Sequence, residues 1–154
     1  MLSTHPTHPS SSGSHRLPRA LERRPRAFVA EDDDEARRMF ELLLRLDGFD
    51  VVSARTGSEL LDRVSTQLLA PFEIRNAIDL IVTDIHMPGL GGLEVIEGLR
   101  AAGWETPVIL VTAWADSDTR SSALSLRAAL FEKPFDLGDF RTAAWHYARH
   151  GRAA

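Results

Sequence analysis

Four short apolar segments of the sequence end in side chains that can take part in phosphoryl chemistry. Acidic residues follow the first segment, and the other three lead to Asp84, Thr112 and Lys133. Closely packed carboxylates repel one another unless a cation joins them, and oxygen ligands without cysteine favour Mg²⁺. A carboxylate beside such a cation can attack a phosphoryl group while an ammonium and a hydroxyl hold the phosphoryl oxygens. The acids after the first segment are Glu31, Asp32, Asp33 and Asp34.

Each of these acids also has an ordinary explanation. Aspartate and glutamate are common after strands because they cap the helices that follow. The functional interpretation therefore depends on all of the strand ends meeting at one place. Asp84 has the most specific surroundings, because an apolar run precedes it and a Met-Pro-Gly turn follows at residues 87–89.

The segments that must position these residues alternate between strand and helix from residue 26 onwards. Such alternation predicts a parallel sheet with helices on both faces, and all strand carboxyl ends then lie at one edge, where ligands bind. The predicted strands are 27–30, 50–54, 79–83, 108–111 (within the segment 106–112) and 129–132. The predicted helices are about 34–47, 57–69, 92–102, 117–128 and 137–150.

Two signals fix the helix predictions more closely. Thr56 and Glu59 form a capping-box pattern at the start of the second helix. Apolar residues at helical spacing predict buried stripes that extend to Leu46 in the first helix and Leu69 in the second.

The composition is that of one soluble domain. The chain has 154 residues, a formal net charge of −4 and no cysteine, which argues against a nucleic-acid-binding surface and excludes disulfides. No apolar run is long enough for a membrane span and no secretory signal is present, so we expect a cytoplasmic protein. Residues 1–25, rich in Ser, Pro and His, are predicted to be a disordered tail before a domain at 26–150.

Two further features concern domain organisation. Gln67–Ala77 adds a segment between the second helix and the third strand, and its apolar residues leave open either an inert loop or a small partner surface. Only four residues follow the last helix, so a stand-alone module without an output domain is expected.

Over about residues 26–149 the chain resembles the receiver domain of two-component response regulators. The resemblance rests on the acidic end of strand one, on Asp84-Ile-His-Met-Pro-Gly, on Val-Thr112-Ala and on Phe-Glu-Lys133-Pro-Phe. It implies an α/β flavodoxin-like sheet of five parallel strands in the order 2-1-3-4-5 with five helices. It also implies a phosphorelay signalling module, not an enzyme, that receives phosphoryl from a sensor histidine kinase or a histidine phosphotransfer protein and contacts a downstream protein target.

The resemblance also implies a role for each residue of the site. Asp84 would accept the phosphoryl group, Lys133 would pair with it, and Thr112 would be the switch hydroxyl. A cis peptide bond is implied before Pro134. The implied Mg²⁺ ligands are Glu31 (mainly through water), Asp32, Asp84 and the backbone carbonyl of His86.

The sequence departs from the family pattern at several positions. Leu130 stands where an aromatic switch residue is usual, and Leu126-Arg127 replaces a usual Gly-Ala pair. His86 and Trp114 lie two residues beyond Asp84 and Thr112, positions that flank the path of attacking water in this family. Trp114 could shield the acyl phosphate, contact a partner or pack within its loop, and His86 could position water or simply face solvent.

The partner surface and the function of the chain each have more than one interpretation. By analogy, the dimer or partner surface is the face of helix four, strand five and helix five, with Arg127, Phe131 and Arg141. The main alternative function is a pseudo-receiver that binds proteins without being phosphorylated. An aspartate-nucleophile hydrolase of the haloacid dehalogenase type is disfavoured because His86 occupies the position of its second acid. A transcriptional output would require a further region.

Overall fold

Strands and helices alternate throughout the computed structural model, which describes residues 23–70 and 78–151. Residues 1–22 of the predicted tail therefore lie outside the described residues. Residues 71–77, which make up most of the predicted extra loop, also lie outside them. The strands are β1 (Arg26–Ala30), β2 (Asp50–Ala54), β3 (Leu80–Asp84), β4 (Val108–Thr112) and β5 (Ala129–Glu132). The helices are α1 (Asp34–Leu46), α2 (Gly57–Leu69), α3 (Gly92–Ala101), α4 (Ser117–Ser125) and α5 (Leu137–His150).

The five strands form one parallel sheet in the order β2-β1-β3-β4-β5, which confirms the predicted fold class. Residues that precede β1 contact the same sheet. Arg23 forms an ion pair with Asp79 at 2.8 Å, and the Pro25 carbonyl accepts a hydrogen bond from Asp50 N at 2.9 Å.

Helices cover both faces of the sheet, so the three central strands β1, β3 and β4 bury side chains on both sides. Alternate residues of a strand point to opposite faces, and the core is accordingly split in two. The first half packs under α1 and α5 and includes Ala27, Val29, Phe40, Leu44, Val82, Val111, Phe140 and Ala144. The second half packs under α2, α3 and α4 and includes Phe28, Ala30, Leu60, Val64, Ile81, Ile96, Leu110 and Ala123.

Short polar side chains start four of the five helices. The oxygens of Asp33, Thr56, Asp116 and Asp136 each accept a hydrogen bond from a backbone N–H in the first turn of the helix that follows. The predicted capping box is half formed, because Glu59 accepts from Arg55 N at 2.9 Å instead of from Thr56 N.

Three details of the elements differ from prediction. Asp84 is the last residue of β3, whereas the predicted strand ended at Thr83. Leu46 and Leu69, predicted to lie inward, are 67% and 86% exposed; each is the last residue of its helix. Helix α4 ends at Ser125, about three residues early.

The early end of α4 follows from the backbone of Arg127. This residue has a φ of 53°, in the left-handed region that a helix cannot continue through. The turn is held from α3, where Arg100 donates to Leu126 O at 2.8 Å and to Trp104 O at 2.7 Å. Arg127 therefore adopts a backbone conformation for which glycine is better suited, and these hydrogen bonds offset its steric cost.

Within the part of the chain that the structure describes, no helix has the length and apolar character that crossing a membrane requires.

Candidate functional site

The carboxyl ends of β1, β3, β4 and β5 bring the predicted residues to one edge of the sheet. Glu31 directly follows β1, Asp84 and Thr112 are the last residues of β3 and β4, and Lys133 directly follows β5. Parallel pairing of neighbouring strands aligns these ends. The site is therefore a consequence of strand order and register.

An acidic cluster lies at this edge. Carboxylate oxygens of Glu31, Asp32 and Asp84 all lie within 4.8 Å of one another. Glu31 and Asp84 are buried, at 1% and 7% exposure, while Asp32 is exposed. The donor set is oxygen only and open to water on one side, which fits Mg²⁺, a hard cation that keeps several of its waters.

Lys133 joins the two buried acids. Its Nζ donates to Glu31 Oε2 at 3.3 Å and to Asp84 Oδ2 at 3.0 Å. Burial alone would lower the pKa of Lys133, but the hydrogen bonds and charges of Asp84 and Glu31 outweigh burial and raise that pKa above its ordinary value. The lysine is therefore charged at neutral pH.

The carboxyl group of Glu31 is the perturbed acid of the cluster. Burial, followed by its hydrogen bond with Asp84, raises the pKa of Glu31 from 4.5 to about 7. The Asp33 N–H, which donates to Glu31 Oε1 at 3.1 Å, opposes this shift. A cation bound to Glu31 would have to keep its carboxylate charged, although burial favours the neutral form.

Asp84 is held at both carboxylate oxygens. Its Oδ1 accepts from His86 N at 2.8 Å, while Oδ2 accepts from Lys133. On the backbone, Thr83 Oγ1 donates to the Asp84 carbonyl at 3.0 Å. The His86 backbone thus lies beside the cluster and its side chain faces solvent, but a role for its carbonyl as a metal ligand stays a prediction.

The Thr112 hydroxyl is hydrogen-bonded within its own loop and not to the acids. Its hydroxyl donates to Trp114 O at 3.0 Å and accepts from Trp114 N at 3.2 Å. The Thr112 carbonyl accepts from Lys133 N at 2.7 Å, which links β4 to the lysine. The Trp114 residue is 71% exposed, so packing within its loop is the wrong interpretation of this residue.

Arg37 supports the candidate site from α1 and was not singled out in the sequence. Its buried guanidinium donates to the Glu31 carbonyl at 3.0 Å and pairs with the Asp34 carboxylate. It therefore holds the loop that carries the acids. The available signal was the three-residue spacing of Asp34 and Arg37 at the start of a helix.

The end of the sheet at β5 differs from the family pattern as the sequence indicates. Leu130 packs with the core under α4, and the Lys133–Pro134 peptide bond is cis, as predicted. Phe131 points to the opposite face, where its ring lies against those of Phe135 and Phe140. An aromatic side chain is thus present beside position 130, but on the α5 side of the sheet.

The three residues expected on a common α4–β5–α5 surface have different neighbours. Arg127 pairs with Glu105 at 2.9 Å, and Phe131 packs into the aromatic cluster. Arg141 turns to the end of α1, where it pairs with Asp47. Each of the three side chains thus has a different neighbour, and the partner surface itself stays a prediction.

Known proteins resemble this chain in sequence. The family model of the response regulator receiver domain matches residues 27–144. The transcriptional regulatory protein PrrA of Mycobacterium tuberculosis is 37% identical over 116 residues, which are 75% of this chain and 46% of PrrA. The regulatory protein AtoC of Escherichia coli is 33% identical over 117 residues, 74% of this chain and 23% of AtoC. The chain thus spans less than half the length of these curated relatives.

Solved structures resemble it in fold. The receiver domain of the Francisella response regulator 1452 has a TM-score of 0.72 and 25% identity, with coverage of 83% of this chain and 99% of that one. The response regulator TrrA of Thermotoga maritima, solved in complex with Mg²⁺ and BeF, has a TM-score of 0.64 and 26% identity, with coverage of 77% and 95%. Sequence and fold therefore agree, and the chain belongs to the response regulator receiver domain family of two-component signalling.

Proposed function

We propose that this chain accepts a phosphoryl group on Asp84 in a reaction that requires Mg²⁺, and that the new charge switches its contacts with other proteins. One observation carries the proposal. The Asp84 carboxylate is buried and held by His86 N and Lys133 Nζ, beside two further acids that fit a hard cation. A carboxylate oriented in this way is prepared to act as a nucleophile.

The reaction is a phosphoryl transfer from a phosphohistidine donor. An oxygen of Asp84 forms a bond to phosphorus while the bond from phosphorus to the donor imidazole breaks, and the imidazole nitrogen takes up a proton. Bound Mg²⁺ would neutralise charge on the phosphoryl oxygens. The residues that would hold it are Glu31, Asp32, Asp84 and the His86 carbonyl.

Lys133 and Thr112 would respond to the new group. The Lys133 ammonium, now shared between Glu31 and Asp84, would pair with a phosphoryl oxygen, because a dianion attracts it more strongly than one carboxylate. The Thr112 hydroxyl would donate to another phosphoryl oxygen. That donation is incompatible with its present hydrogen bond to Trp114 O.

This exchange of hydrogen bonds would carry the signal. If the Thr112 hydroxyl turns to the phosphoryl group, the loop residue Trp114 loses its anchor and its exposed indole moves. An exposed tryptophan is well suited to anchor a partner, because tryptophan contributes strongly to protein interfaces. Because Leu130 stands where the family usually has an aromatic switch residue, Trp114 is the aromatic side chain through which this loop would transmit the signal.

The partners follow from this chemistry. A phosphohistidine donor is supplied by a sensor histidine kinase or by a histidine phosphotransfer protein, and a downstream protein would read the phosphorylated state. Since such donors derive from ATP, we expect a cytoplasmic location. Two relatives are named as transcriptional or regulatory proteins, and a transcriptional output would belong to a region beyond the part that matches.

A small-molecule donor tests the proposal without the cognate kinase. The chain is incubated with acetyl phosphate and Mg²⁺, and its intact mass is measured. We expect a gain of one phosphoryl group, and no gain when Mg²⁺ is replaced by EDTA. An unchanged mass in wild-type protein would refute the proposal and favour the pseudo-receiver, a protein-binding module that is not phosphorylated.

A further inference from the structure

We propose that His146 and His150 form a binding site for a divalent transition metal of the Zn²⁺, Ni²⁺ or Cu²⁺ class at the C-terminal end of α5. The residues are four positions apart on one helix, which places their side chains on the same face. Their ring centroids are 4.8 Å apart and the rings are inclined by only 26°. Rotation of the His146 ring out of this stack would let both imidazoles offer a nitrogen atom to one metal ion, and imidazole suits these metals.

The hydrogen bonding of His150 prepares it as a ligand. Its Nδ1 lies 3.2 Å from the carbonyl oxygen of His146. A carbonyl only accepts, so Nδ1 must carry the proton in this hydrogen bond, and the lone pair is then on Nε2. Metal-binding histidines commonly donate their second ring nitrogen to a backbone carbonyl, which fixes the tautomer and the ring orientation.

The surroundings admit a hydrated cation. The two rings line an open groove of about 710 Å³, so water can complete the coordination. His150 is the last residue of α5, and the terminal carbonyls of a helix favour a positive charge nearby. The other lining residues are Asp47, Gly138, Arg141, Thr142 and Trp145.

The cations near the groove already have partners. Arg141 pairs with Asp47, and the guanidinium of Arg149 lies 4.4 Å from the centre of the Trp145 ring. Asp47 is committed to Arg141 through both of its carboxylate oxygens, so it is not counted as a ligand. The proposed site thus consists of two imidazoles and water.

This site is independent of the acidic cluster. Helix α5 begins after Lys133 at the carboxyl edge of the sheet, and its 14 residues carry His150 away by about 20 Å. The donors also differ, because carboxylates suit Mg²⁺ and imidazoles suit later transition metals. Saturation of one site with Mg²⁺ therefore leaves the other available.

Calorimetric titration with Ni²⁺ tests the proposal in the full-length chain. His5, His8 and His15 are replaced by glutamine so that the tail offers no imidazole, and Mg²⁺ is kept in excess to occupy the acids. We expect one Ni²⁺ per chain, and at least about tenfold weaker binding in His146→Gln and in His150→Gln. Arg149→Gln, on the same helical turn, is the matched control and should bind as the parent does.

Trp145 supplies a second readout. Because it precedes His146 and lines the same groove, bound Ni²⁺ should quench its fluorescence, and Trp145→Phe should remove most of that quenching while Ni²⁺ still binds. Equal Ni²⁺ affinity in the doubly substituted His146→Gln/His150→Gln chain would overturn the proposal, as would no binding to the parent. If a substituted chain fails to fold, NMR of the parent provides the test. Bound Ni²⁺ should broaden the ring signals of His146 and His150, and signals that stay sharp would overturn the proposal.

Discussion

At the scale of single residues, the Lys133 ammonium plays part of the role that a metal cation would play at the acidic cluster. Its ammonium lies between the carboxylates of Glu31 and Asp84 and offsets their repulsion. A bound metal ion would therefore compete with this ammonium for the carboxylate oxygens. The same ammonium would pair with the phosphoryl group, so its loss should affect metal binding and phosphoryl transfer in opposite directions.

Replacing Lys133 with alanine separates these two effects. We expect Mg²⁺ to bind more tightly, because the competing cation is gone, and phosphorylation by acetyl phosphate to slow by roughly tenfold or more, about 1.4 kcal/mol in barrier. Mg²⁺ titration and the rate of mass gain measure the two. An equal rate in both proteins would show that Lys133 does not contact the phosphoryl group.

Thr112 is the residue at which transmission can be tested. Thr112→Ala removes both hydrogen bonds between the hydroxyl and the Trp114 backbone, whereas Thr112→Ser keeps a hydroxyl for them. We expect phosphorylation to change the tryptophan fluorescence of the parent and of Thr112→Ser, and this change to be largely lost in Thr112→Ala. Trp114→Phe identifies the share of the signal that comes from Trp104 and Trp145.

A full fluorescence response in phosphorylated Thr112→Ala would contradict the proposed route from the hydroxyl to the indole. That result would leave open the acceptance of phosphoryl by Asp84, because the Thr112 hydroxyl is hydrogen-bonded to Trp114 and not to Asp84 in this structure.

At the scale of elements, close packing of α3 on the end of β3 positions Asp84. A Cβ atom built on Gly92 would lie 2.1 Å from the Asp84 carbonyl oxygen, so only glycine fits at the start of this helix. Gly98, later in the same helix, has no neighbouring atom within 4 Å of such a Cβ. The two glycines therefore provide a matched pair of substitutions.

Gly92→Ala should destabilise the fold by about 1–3 kcal/mol, because the overlap must be relieved by backbone movement, and it should slow phosphorylation by displacing Asp84. Gly98→Ala should stabilise the fold by about 0.5–1 kcal/mol through helix propensity and leave phosphorylation unchanged. Urea unfolding and intact mass measure these effects. Similar behaviour of the two variants would argue against tight packing at Gly92.

The sequence predicted the elements well where periodicity and caps determine them, and less well where tertiary contacts do. The parallel sheet and the meeting of Glu31, Asp84 and Lys133 followed from alternation of strand and helix, whereas the strand order followed from the resemblance to receiver domains. The early end of α4 did not, because it depends on the positive φ of Arg127 and on hydrogen bonds from α3. Contacts between distant segments leave no local pattern in the sequence.

The same limit applies within the site. The types of the acids and the lysine were readable, but the role of Arg37 in holding the loop and the attachment of the Thr112 hydroxyl to Trp114 were not. Both depend on where a side chain turns after the fold has formed. The exposure of Leu46 and Leu69 has a related cause. An apolar stripe in the sequence does not show at which residue the helix stops packing on the sheet.

At the scale of the whole molecule, the raised pKa of Glu31 couples stability to pH. The folded chain retains a proton on Glu31 between pH 4.5 and about 7, where the unfolded chain has lost it. The contribution of this group to stability is therefore greatest below pH 4.5 and is lost as the pH rises to about 7. A bound cation should reverse this loss by favouring the charged carboxylate.

We therefore expect Mg²⁺ to bind roughly tenfold more tightly at about pH 8 than at about pH 6, because Glu31 must lose its proton. The rise in melting temperature caused by Mg²⁺ should increase accordingly. Glu31→Gln should remove most of this pH dependence. A Mg²⁺ effect independent of pH in the parent chain would show that Glu31 does not titrate with the metal.

The proposed function of the whole chain depends on Asp84 being the phosphoryl acceptor, and one measurement tests this directly. After reaction with acetyl phosphate and Mg²⁺, borohydride reduction converts an aspartyl phosphate to homoserine, and tryptic peptides are sequenced by mass spectrometry. Asp32 and Asp84 fall in different tryptic peptides, because Arg37 lies between them. We predict homoserine at position 84 alone; homoserine at position 32, or in a phosphorylated Asp84→Asn chain, would contradict the account.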